Sequence, residues 1–410
     1  MDSVPTDPHG FLLPGMTRLG YEPTTDKPPF KSLLEIKSLV ERPLILLATA
    51  TITTDNIFSN GLFQNVFLLY RMFDAMGWTP LLLVNTKPKI LEGIPDVIKH
   101  CRVITAEDLV KQPIPIKTYI EIGMSLDSSL RRFLKMIGAR VCKLYLGNIL
   151  NIDIETPVFY PGMHFSHHVV GEMQEIWVSP HYGQHSEYAA VLNHLDPGGE
   201  RQKIAPYVWD PCMITDDGRR RIQWRPRREG ETEHIIIMEP NISFQKSSLV
   251  PIMAMERWFR KHPDWKGEIH IFNGERLTMT PFFKETILPT LDLHKAGKIK
   301  LLGRSDIISI TTQYPSATFL LHQWNNEYNY MLFELLWCSF PVIHNAQSWS
   351  PYGYCYKGSD LDEIGSLYDE ISARHNERLE TYRSHARALA WKHSPYNPEI
   401  QKGWSELLRG

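Results

Sequence analysis

One stretch, from Phe319 to Asn345, gathers amides, histidines and carboxylates between apolar segments. A strand-like apolar run ends at His322, a polar loop follows, and a helical pattern then carries Glu334 in its first turns. Carboxylates at such a position can accept hydrogen bonds from paired hydroxyl groups, and exposed N–H groups at a helix start suit phosphate oxygens. The structural alternative is that Glu334 only charges the start of the helix, where negative side chains are favoured.

A second polar segment, Met238–Lys246, joins an apolar strand pattern to a helical pattern that begins near Ser247. Its single cation is Lys246, whose charge suits a phosphate group. A lysine after a strand is also commonly a solvated surface residue, so both readings stay open.

In the first half of the chain, the segment Asn60–Asn65 follows the apolar run Pro43–Ala50 and begins a helical pattern. Gly61 would allow the backbone to approach a ligand closely, because glycine has no side chain. The competing interpretation is a simple glycine at a helix start.

The 17 histidines add candidates for acid–base chemistry. His164 shares a predicted loop with His167 and His168, while His181 and His185 are four residues apart. A histidine in such a loop can bind sugar hydroxyls or act as a general base near neutral pH. The sequence has no HExxH motif, and zinc requires three or four convergent ligands, so we predict no metal.

The elements that must position these segments alternate twice along the chain. Apolar runs of strand length alternate with helical patterns over residues 43–146 and again from His234. This alternation predicts parallel βαβ units, and continuous apolar strands predict sheets covered on both faces. We therefore predict an α/β protein with two Rossmann-like, doubly wound domains facing a central cleft, where ligands bind.

The predicted division is an irregular arm at residues 1–30, a first domain at 31–215, a linker at 216–233, a second domain at 234–390 and a C-terminal helix at 391–410. That helix could cross back to the first domain. The linker alternates arginines with acidic residues, which predicts a solvated segment. Its arginines leave a peripheral membrane or phosphate contact open as an alternative.

Two local predictions concern helices of the second domain. Pro281–His294 is predicted to form one helix, and Asp360 is predicted to cap another, with Glu363 completing a capping box. Asp360 and Asp362 superficially match a metal-binding Asp-x-Asp pair, but the cap explains them better.

Composition excludes several classes. With 43% hydrophobic residues, 22% charged residues and a net charge of −2, the chain is typical of globular proteins and not of nucleic-acid binders. No apolar run reaches the roughly 18 residues of a membrane span, and no signal peptide is evident. Five scattered cysteines without a CxxC pair indicate reduced thiols and a cytoplasmic protein. The usual motifs of P-loop enzymes, dinucleotide dehydrogenases and α/β-hydrolases are missing.

The segment Glu334–Val342, ELLWCSFPV, resembles the E-A-M-A-C-G-x-P-V segment of retaining GT-B glycosyltransferases. The resemblance implies that Glu334 binds the ribose of the nucleotide. Eight residues earlier, where that family usually has a glutamate near the donor sugar, this chain has Asn326 followed by Glu327. The resemblance thus assigns the sugar contact to this pair.

Met238–Lys246 resembles the G-R-x-x-x-x-K-G loop of the same enzymes, which implies that Lys246 grips the donor diphosphate. Asn241 stands where the family has an arginine. Leu301–Asp306 resembles the strand end that borders the nucleotide base. The implied donor-binding residues are Lys246, Asn241, Ser243, Glu334, Gly303, Arg304, Ser305, His322, Asn329 and Tyr330. The implied catalytic residues are Glu327 and Asn326, to which we add His164 as a candidate base from its own chemistry. The implied acceptor or phosphate loop contains Asn60, Gly61, Gln64 and Asn65.

A narrower resemblance, over roughly residues 43–400, is to a family of uncharacterised bacterial and viral GT-B-like proteins. The shared text includes Asn60-Gly61-x-x-Gln-Asn65, Glu239-Pro-Asn-Ile-Ser243-x-x-Lys246, His322-Gln-Trp-x-Asn-x-x-Asn329-Tyr330 and Pro341-x-x-His-Asn345.

These observations predict a metal-independent glycosyltransferase that moves a hexose or pentose from a nucleotide-diphosphate sugar to a glycan or another acceptor. The motif kinship favours retention of configuration. The sugar nucleotide would be a co-substrate, with no bound cofactor and no nucleic-acid partner. Two alternatives stay open: a non-catalytic nucleotide- or sugar-binding protein on the same fold, favoured by Asn241 and Asn326, and a nucleotide-sugar epimerase.

Overall fold

The computed structural model of the 410-residue chain describes residues 41–54, 57, 61–88, 92–122, 124–162, 171–215 and 222–409. The chain divides into two compact units, Met1–Arg220 with Trp391–Gly410, and Arg221–Ala390. The predicted arm at residues 1–30 lies outside the described residues. None of the described helices is both long and apolar enough to cross a membrane.

The first unit is built on a parallel sheet with the strand order β3-β2-β1-β4-β5-β6-β7. Its described strands are β1 Leu44–Ala48, β2 Thr79–Val84, β3 Val103–Thr105, β4 Ile116–Glu121, β5 Arg140–Tyr145, β6 Glu175–Val178 and β7 Gln202–Ile204. Its described helices are α1 Gly61–Ala75, α2 Asp96–Lys99, α3 Ala106–Lys111, α4 Ser128–Met136, α5 Ile149–Phe159, α6 Ser186–Leu192, α7 Cys212–Thr215 and α15 Pro398–Arg409, with a 3₁₀ helix at Pro180–His185. Every residue of β1 is buried, as its continuous apolar sequence predicts for a strand covered on both faces.

The C-terminal segment completes the core of this unit. The Trp404 ring lies edge-to-face against Phe73 and Trp177, with ring centroids 5.4 and 5.8 Å away. Its indole N–H donates to the Pro206 carbonyl oxygen at 3.1 Å. The last helix, α15, therefore packs as an integral element of the first unit.

A buried ion cluster lies at the carboxyl end of β4. Glu121 is fully buried and accepts hydrogen bonds from Lys143 Nζ at 2.8 Å, Arg131 Nε at 3.0 Å, Tyr119 Oη at 3.1 Å and the Leu126 N–H at 3.2 Å. Burial raises the pKa of Glu121, but Lys143 and Arg131 outweigh that effect and hold the pKa below its usual value. Both carboxylate oxygens are thus paired, as a buried charge requires.

The second unit repeats the architecture, with the parallel strand order β10-β9-β8-β11-β12-β13. Its described strands are β8 His234–Ile237, β9 Glu268–Ile271, β10 Ile299–Leu301, β11 Thr318–Leu320, β12 Val342–His344 and β13 Tyr354–Cys355. Its described helices are α8 Leu249–Lys261, α9 Glu275–Thr278, α10 Asp292–Lys295, α11 Ile307–Gln313, α12 Tyr330–Trp337, α13 Leu361–Arg374 and α14 Leu379–His393, which runs on into the first unit. A 3₁₀ helix lies at Gln347–Trp349.

This strand order, in which the third, second and first strands precede the fourth, is that of the Rossmann fold, and both units follow it. The prediction of two parallel α/β units with Rossmann-like topology is confirmed.

The prediction of one helix over Pro281–His294 was wrong. A π-helical turn at Phe282–Ile287 passes into a 3₁₀ turn at Leu288–Thr290, and α10 begins afterwards. Pro289 cannot donate a backbone hydrogen bond, and the buried Glu256 carboxylate accepts from the N–H groups of Asp292 and Leu293. That cap starts a new helix where the pattern predicted continuation.

Asp360 caps α13, accepting from the N–H groups of Asp362 and Glu363, so the predicted cap is confirmed. The reciprocal half of the capping box was wrong, because the Glu363 carboxylate accepts from the Lys357 N–H instead.

The predicted linker begins with residues 216–221, which lie outside the described residues. Its described part is anchored to the second unit and is not solvated throughout. The Trp224 N–H donates to the Cys338 carbonyl at 2.8 Å, and the Arg225 N–H donates to the Pro315 carbonyl at 3.0 Å. Arg225 also forms an ion pair with Glu231 at 2.7 Å. The arginines are thus partly used in local structure.

We predict that Glu121→Ala destabilises the first unit by about 3–5 kcal/mol, because it leaves Lys143 buried without its counterion and Arg131 paired with Glu172 alone. Denaturant unfolding measures this loss. The matched control is Glu107→Ala, which removes an exposed partner of Lys111 and should cost less than about 1 kcal/mol. Equal losses in the two variants would contradict the assignment of the cluster as a stabilising element.

Candidate functional site

The strand order of the second sheet reverses between β8 and β11, which are neighbours although β9 and β10 lie between them in sequence. In open α/β sheets, the carboxyl ends of the strands at such a point border the ligand crevice. Here β8 leads into Met238–Lys246, and β11 leads into the loop that begins at His322. The topology therefore brings together the two segments that the sequence singled out.

The two loops are joined by the Glu239 carboxylate. Its Oε1 accepts a hydrogen bond from the His322 backbone N–H at 2.9 Å. Glu239 is only 1% exposed, and its second oxygen, Oε2, is buried and finds no hydrogen-bond partner among the described residues. Burial raises the pKa of Glu239 to about 7, although Lys246 and the His322 N–H act in the opposite direction. This carboxyl group therefore changes charge near neutral pH.

Lys246, at the end of the same loop, is half-buried, and no salt bridge to it is found among the described residues. Burial lowers the pKa of Lys246, and the nearby Glu239 raises it in part. An anionic phosphate group beside such an ammonium group would favour its charged form. The position of Lys246 thus suits the predicted contact with a phosphate, although no bound ligand tests it.

His322 has a defined tautomer. Tyr356 Oη donates its single proton to the Leu321 carbonyl at 3.0 Å, so the 2.8 Å contact between Tyr356 Oη and His322 Nδ1 requires Nδ1 to carry the proton. Burial lowers the pKa of His322 to about 4. The neutral ring therefore keeps a lone pair on Nε2, which can accept a hydrogen bond from a hydroxyl group.

Asn241 is committed to its own loop. Its φ of 53° places it in the left-handed region, which asparagine tolerates. Its Nδ2 donates to the Glu239 carbonyl at 3.1 Å and to Ser248 Oγ at 3.0 Å, while its Oδ1 accepts from the Ser248 N–H at 2.8 Å. Asn241 therefore shapes the loop that carries Lys246, and the predicted donor contact by its side chain stays untested.

Further hydrogen bonds fix the second loop. The Trp324 N–H donates to the Gln245 carbonyl at 2.8 Å, and Gln323 and Asn345 exchange two hydrogen bonds between amide and backbone. The Asn326 N–H donates to Gln323 Oε1 at 2.6 Å. The backbone around Asn326 is thus held in place.

Glu327 performs a structural task. Its carboxylate accepts from the N–H groups of Gln347 at 2.9 Å and Ser348 at 3.1 Å, and from the Ser348 hydroxyl. It therefore caps the 3₁₀ helix at Gln347–Trp349. A catalytic role, which the sequence predicts, would require it to exchange these donors for a ligand.

The remaining predicted residues of the second unit lie at the same edge of the sheet. Asn329 caps α12 by accepting from the Met331 N–H at 3.2 Å, Tyr330 is the first helical residue, and Glu334 lies in the second turn with only 5% of its surface exposed. Ser243 Oγ accepts from the Gln245 N–H at 3.0 Å.

Gly303, Arg304 and Ser305 form the turn between β10 and α11. The Gly303 carbonyl accepts from the Asn273 N–H at 3.3 Å, which links this turn to the loop after β9. All three neighbouring strand ends, of β8, β9 and β10, therefore contribute to one polar edge.

The predicted residues of the first half form a separate group in the first unit. Gly61 begins α1, and Gln64 and Asn65 are buried, with Asn65 Nδ2 donating to the Val208 carbonyl at 3.2 Å. Asn65 thus has a structural contact. Asn60 and His164 lie outside the described residues.

Among the described residues, one group could hold a metal ion: His234, Glu268 and His270, whose ligand atoms lie within 4.8 Å of one another. His270 Nε2 already contacts Glu268 Oε2 at 2.9 Å. This group lies at the amino ends of β8 and β9, away from the edge that carries Glu239 and Lys246.

Sequence reasoning missed three residues as site members: Glu239, Asn345 and Tyr356. Glu239 and Asn345 stand within the quoted motifs, and an acidic residue directly after a buried strand was an available signal. No sequence signal marked Tyr356, because it follows β13 and only folding of the chain brings it into contact with His322.

We predict that Glu239 makes the protein less stable as pH rises from 4.5 to about 7. A folded pKa above the unfolded value means that the folded state binds more protons in this window, so stability falls through it. Glu239→Gln should remove this fall in the free energy of unfolding, measured by denaturant titration at several pH values. Glu285→Gln, at an exposed position, is the control; a wild-type slope in Glu239→Gln would refute the assignment.

The fold is that of the GT-B glycosyltransferases. Trehalose-6-phosphate synthase from Burkholderia multivorans matches with a TM-score of 0.56 at 10% identity, covering 90% of this chain and 98% of that one. The UDP-forming trehalose-phosphate synthase from Burkholderia vietnamiensis matches at 0.55 and 11%, covering 90% and 99%. HepE from Anabaena, in complex with UDP-glucose, matches at 0.53 and 9%, covering 88% and 99%.

No curated protein matches the chain significantly in sequence. Residues 47–408 match the family described as "Protein of unknown function (DUF2827)", and the chain belongs to that family.

Proposed function

We propose that the protein is a glycosyltransferase that binds a nucleotide-diphosphate sugar at the carboxyl edge of its second sheet. The observation that carries the proposal is the meeting of Glu239, His322 and Lys246 at the reversal point of a Rossmann-like sheet. Structures of the same fold include UDP-forming synthases and a protein in complex with UDP-glucose, which supports a UDP-sugar as donor.

In this proposal Lys246 pairs with the diphosphate. Burial of Glu239 keeps that carboxyl group partly protonated near neutral pH, so it does not fully neutralise the Lys246 ammonium. During transfer, the bond between the sugar's anomeric carbon and the phosphate oxygen breaks, and the negative charge on the departing phosphate grows. A fixed ammonium group stabilises that charge more than it stabilises the bound donor, which is how such a group accelerates the reaction.

The other predicted residues take roles around this contact. Neutral His322 accepts a hydrogen bond from a sugar hydroxyl through Nε2, Glu334 faces the ribose, and the turn at residues 303–305 borders the base. Asn326 and Glu327 lie towards the sugar. The acceptor hydroxyl forms the new bond to the anomeric carbon and gives its proton to the departing phosphate oxygen. The proposal also includes retention of configuration and independence of metal, because the motifs resemble those of retaining GT-B glycosyltransferases.

A non-catalytic nucleotide-binding protein is the second candidate. Two observations favour it. The Asn241 side chain is hydrogen-bonded to Ser248, and the Glu327 carboxylate is hydrogen-bonded to the start of a 3₁₀ helix. Neither residue is then available to contact a donor without rearrangement. Binding and turnover must therefore be measured separately.

We expect UDP to bind the wild-type protein and Lys246→Ala to bind it about 10- to 100-fold more weakly, which is the usual effect of removing one charged hydrogen bond. Titration calorimetry measures the dissociation constants. Lys284→Ala, an exposed lysine of the same unit, is the matched control and should bind UDP normally. Unchanged affinity in Lys246→Ala would remove this residue from the diphosphate site.

Turnover separates the two candidates. We expect slow release of UDP from UDP-glucose or another UDP-sugar, accelerated by a mixture of glycan acceptors and reduced by Lys246→Ala, as measured by coupled detection of UDP. Binding of UDP without any release from a panel of UDP-sugars would favour the non-catalytic protein. Failure of the protein to bind or to turn over any of these nucleotides would contradict both candidate functions.

A further inference from the structure

The second unit has a cavity of about 930 Å³ at the opposite edge of its sheet. Its wall includes Glu233, Thr318 and Pro341, which lie at the amino ends of β8, β11 and β12. The proposed donor site lies at the carboxyl ends, so no residue is shared. The volume is within the range of about 300–1,000 Å³ that is typical of small-molecule sites.

Aromatic rings form one wall. Trp258 lies edge-to-face against Trp265 and Tyr368, with centroids 5.6 and 4.9 Å away, and His262 stacks on Trp258 at 4.3 Å. Gly365 permits this arrangement, because a Cβ there would lie 3.1 Å from the Trp258 ring. The close approach of α13 to α8 thus brings Tyr368 beside Trp258.

Carboxylates hold two of these rings in place. Asp369 Oδ1 accepts from Trp258 Nε1 at 2.8 Å, and Glu233 Oε2 accepts from Trp265 Nε1 at 3.0 Å. The second oxygen of Asp369 accepts no hydrogen bond from the described residues. An acceptor fixed beside an aromatic ring is therefore available to a hydroxyl group of a ligand.

The cavity wall also includes a buried indole. Trp224 lines it, is only 8% exposed, and has an indole N–H without a hydrogen-bond partner among the described residues. A buried polar group of this kind is uncommon, because leaving it unpaired is unfavourable. Its N–H has almost no exposed surface, so a ligand in the cavity would reach it only if the Trp224 ring turned.

The charges around the cavity nearly cancel. Its acidic groups are Glu233, Asp264 and Asp369, and its basic groups are Arg227 and Lys261. The three carboxylates would repel an anionic nucleotide, and the two basic side chains would repel an organic cation. The balance favours a neutral ligand with many hydroxyl groups.

We propose that this cavity is an accessory binding site for a neutral oligosaccharide, separate from the donor site. Apolar faces of the sugar rings pack on the aromatic wall, where the half-buried Trp265 is the most accessible indole. Sugar hydroxyls donate to the exposed carboxylate of Asp369. The site goes beyond the proposed function, since it would hold a glycan whether or not the protein transfers sugars.

A microarray of neutral and acidic oligosaccharides, probed with the labelled full-length protein, tests the proposal. We expect binding to at least one neutral oligosaccharide, followed by titration of that compound. Trp265→Ala and Asp369→Asn should each weaken it at least tenfold. Asp369→Asn can still accept from Trp258 and lies at an exposed position, so it decides the question if Trp265→Ala fails to fold.

Two control variants should bind the oligosaccharide normally: Phe282→Ala, an exposed aromatic residue elsewhere, and Lys246→Ala in the donor site. Retained glycan binding in Lys246→Ala separates this site from the proposed function. The proposal is overturned if the wild type binds no neutral oligosaccharide, if Asp369→Asn binds as the wild type does, or if choline or UDP displaces the glycan.

Discussion

One hydrogen bond, from the His322 N–H to the Glu239 carboxylate, organises the carboxyl edge of the second sheet. It crosses the point where the strand order reverses, so it joins loops that are 83 residues apart in the chain. The loop that contains Glu239 also carries Lys246, and the loop that contains His322 continues into Asn329 and α12. Fixing one bond therefore fixes the relative position of a cation, a neutral imidazole and a helix start.

Two buried carboxylates in this chain show how a structural acid differs from a site acid. Glu121 in the first unit accepts from four donors, two of which are cations, and the net effect lowers its pKa. Glu239 has a single described donor, and burial raises its pKa to about 7. A buried carboxylate whose oxygens all accept hydrogen bonds contributes stability. One with an oxygen left unpaired costs stability, and such a cost persists where a ligand can later offset it.

Much of this fold could be predicted from sequence, because buried parallel strands such as Leu44–Ala48 are continuous apolar runs. The Rossmann-like topology followed from their alternation with helices. Pro289 was a visible signal for a break within Pro281–His294, but the start of a new helix at Asp292 could not be predicted. That start depends on Glu256, whose carboxylate accepts a hydrogen bond from the Asp292 N–H, 36 residues away in sequence. In the same way, the motif located Glu327 but not its capping of residues 347–348, a contact between segments that only the folded chain brings together.

The two edges of the second sheet differ because different elements build them. Loops after the strands supply the carboxyl edge, and loops are where amides and charges accumulate. At the amino edge, α8 and α13 pack closely at Gly365, where the missing Cβ leaves room for the Trp258 ring. At roughly 3.3 Å per residue, the four residues of β8 hold the edges about 10–13 Å apart. The two proposed sites therefore use different side chains, because no residue that lines the cavity at the amino edge belongs to the proposed donor site.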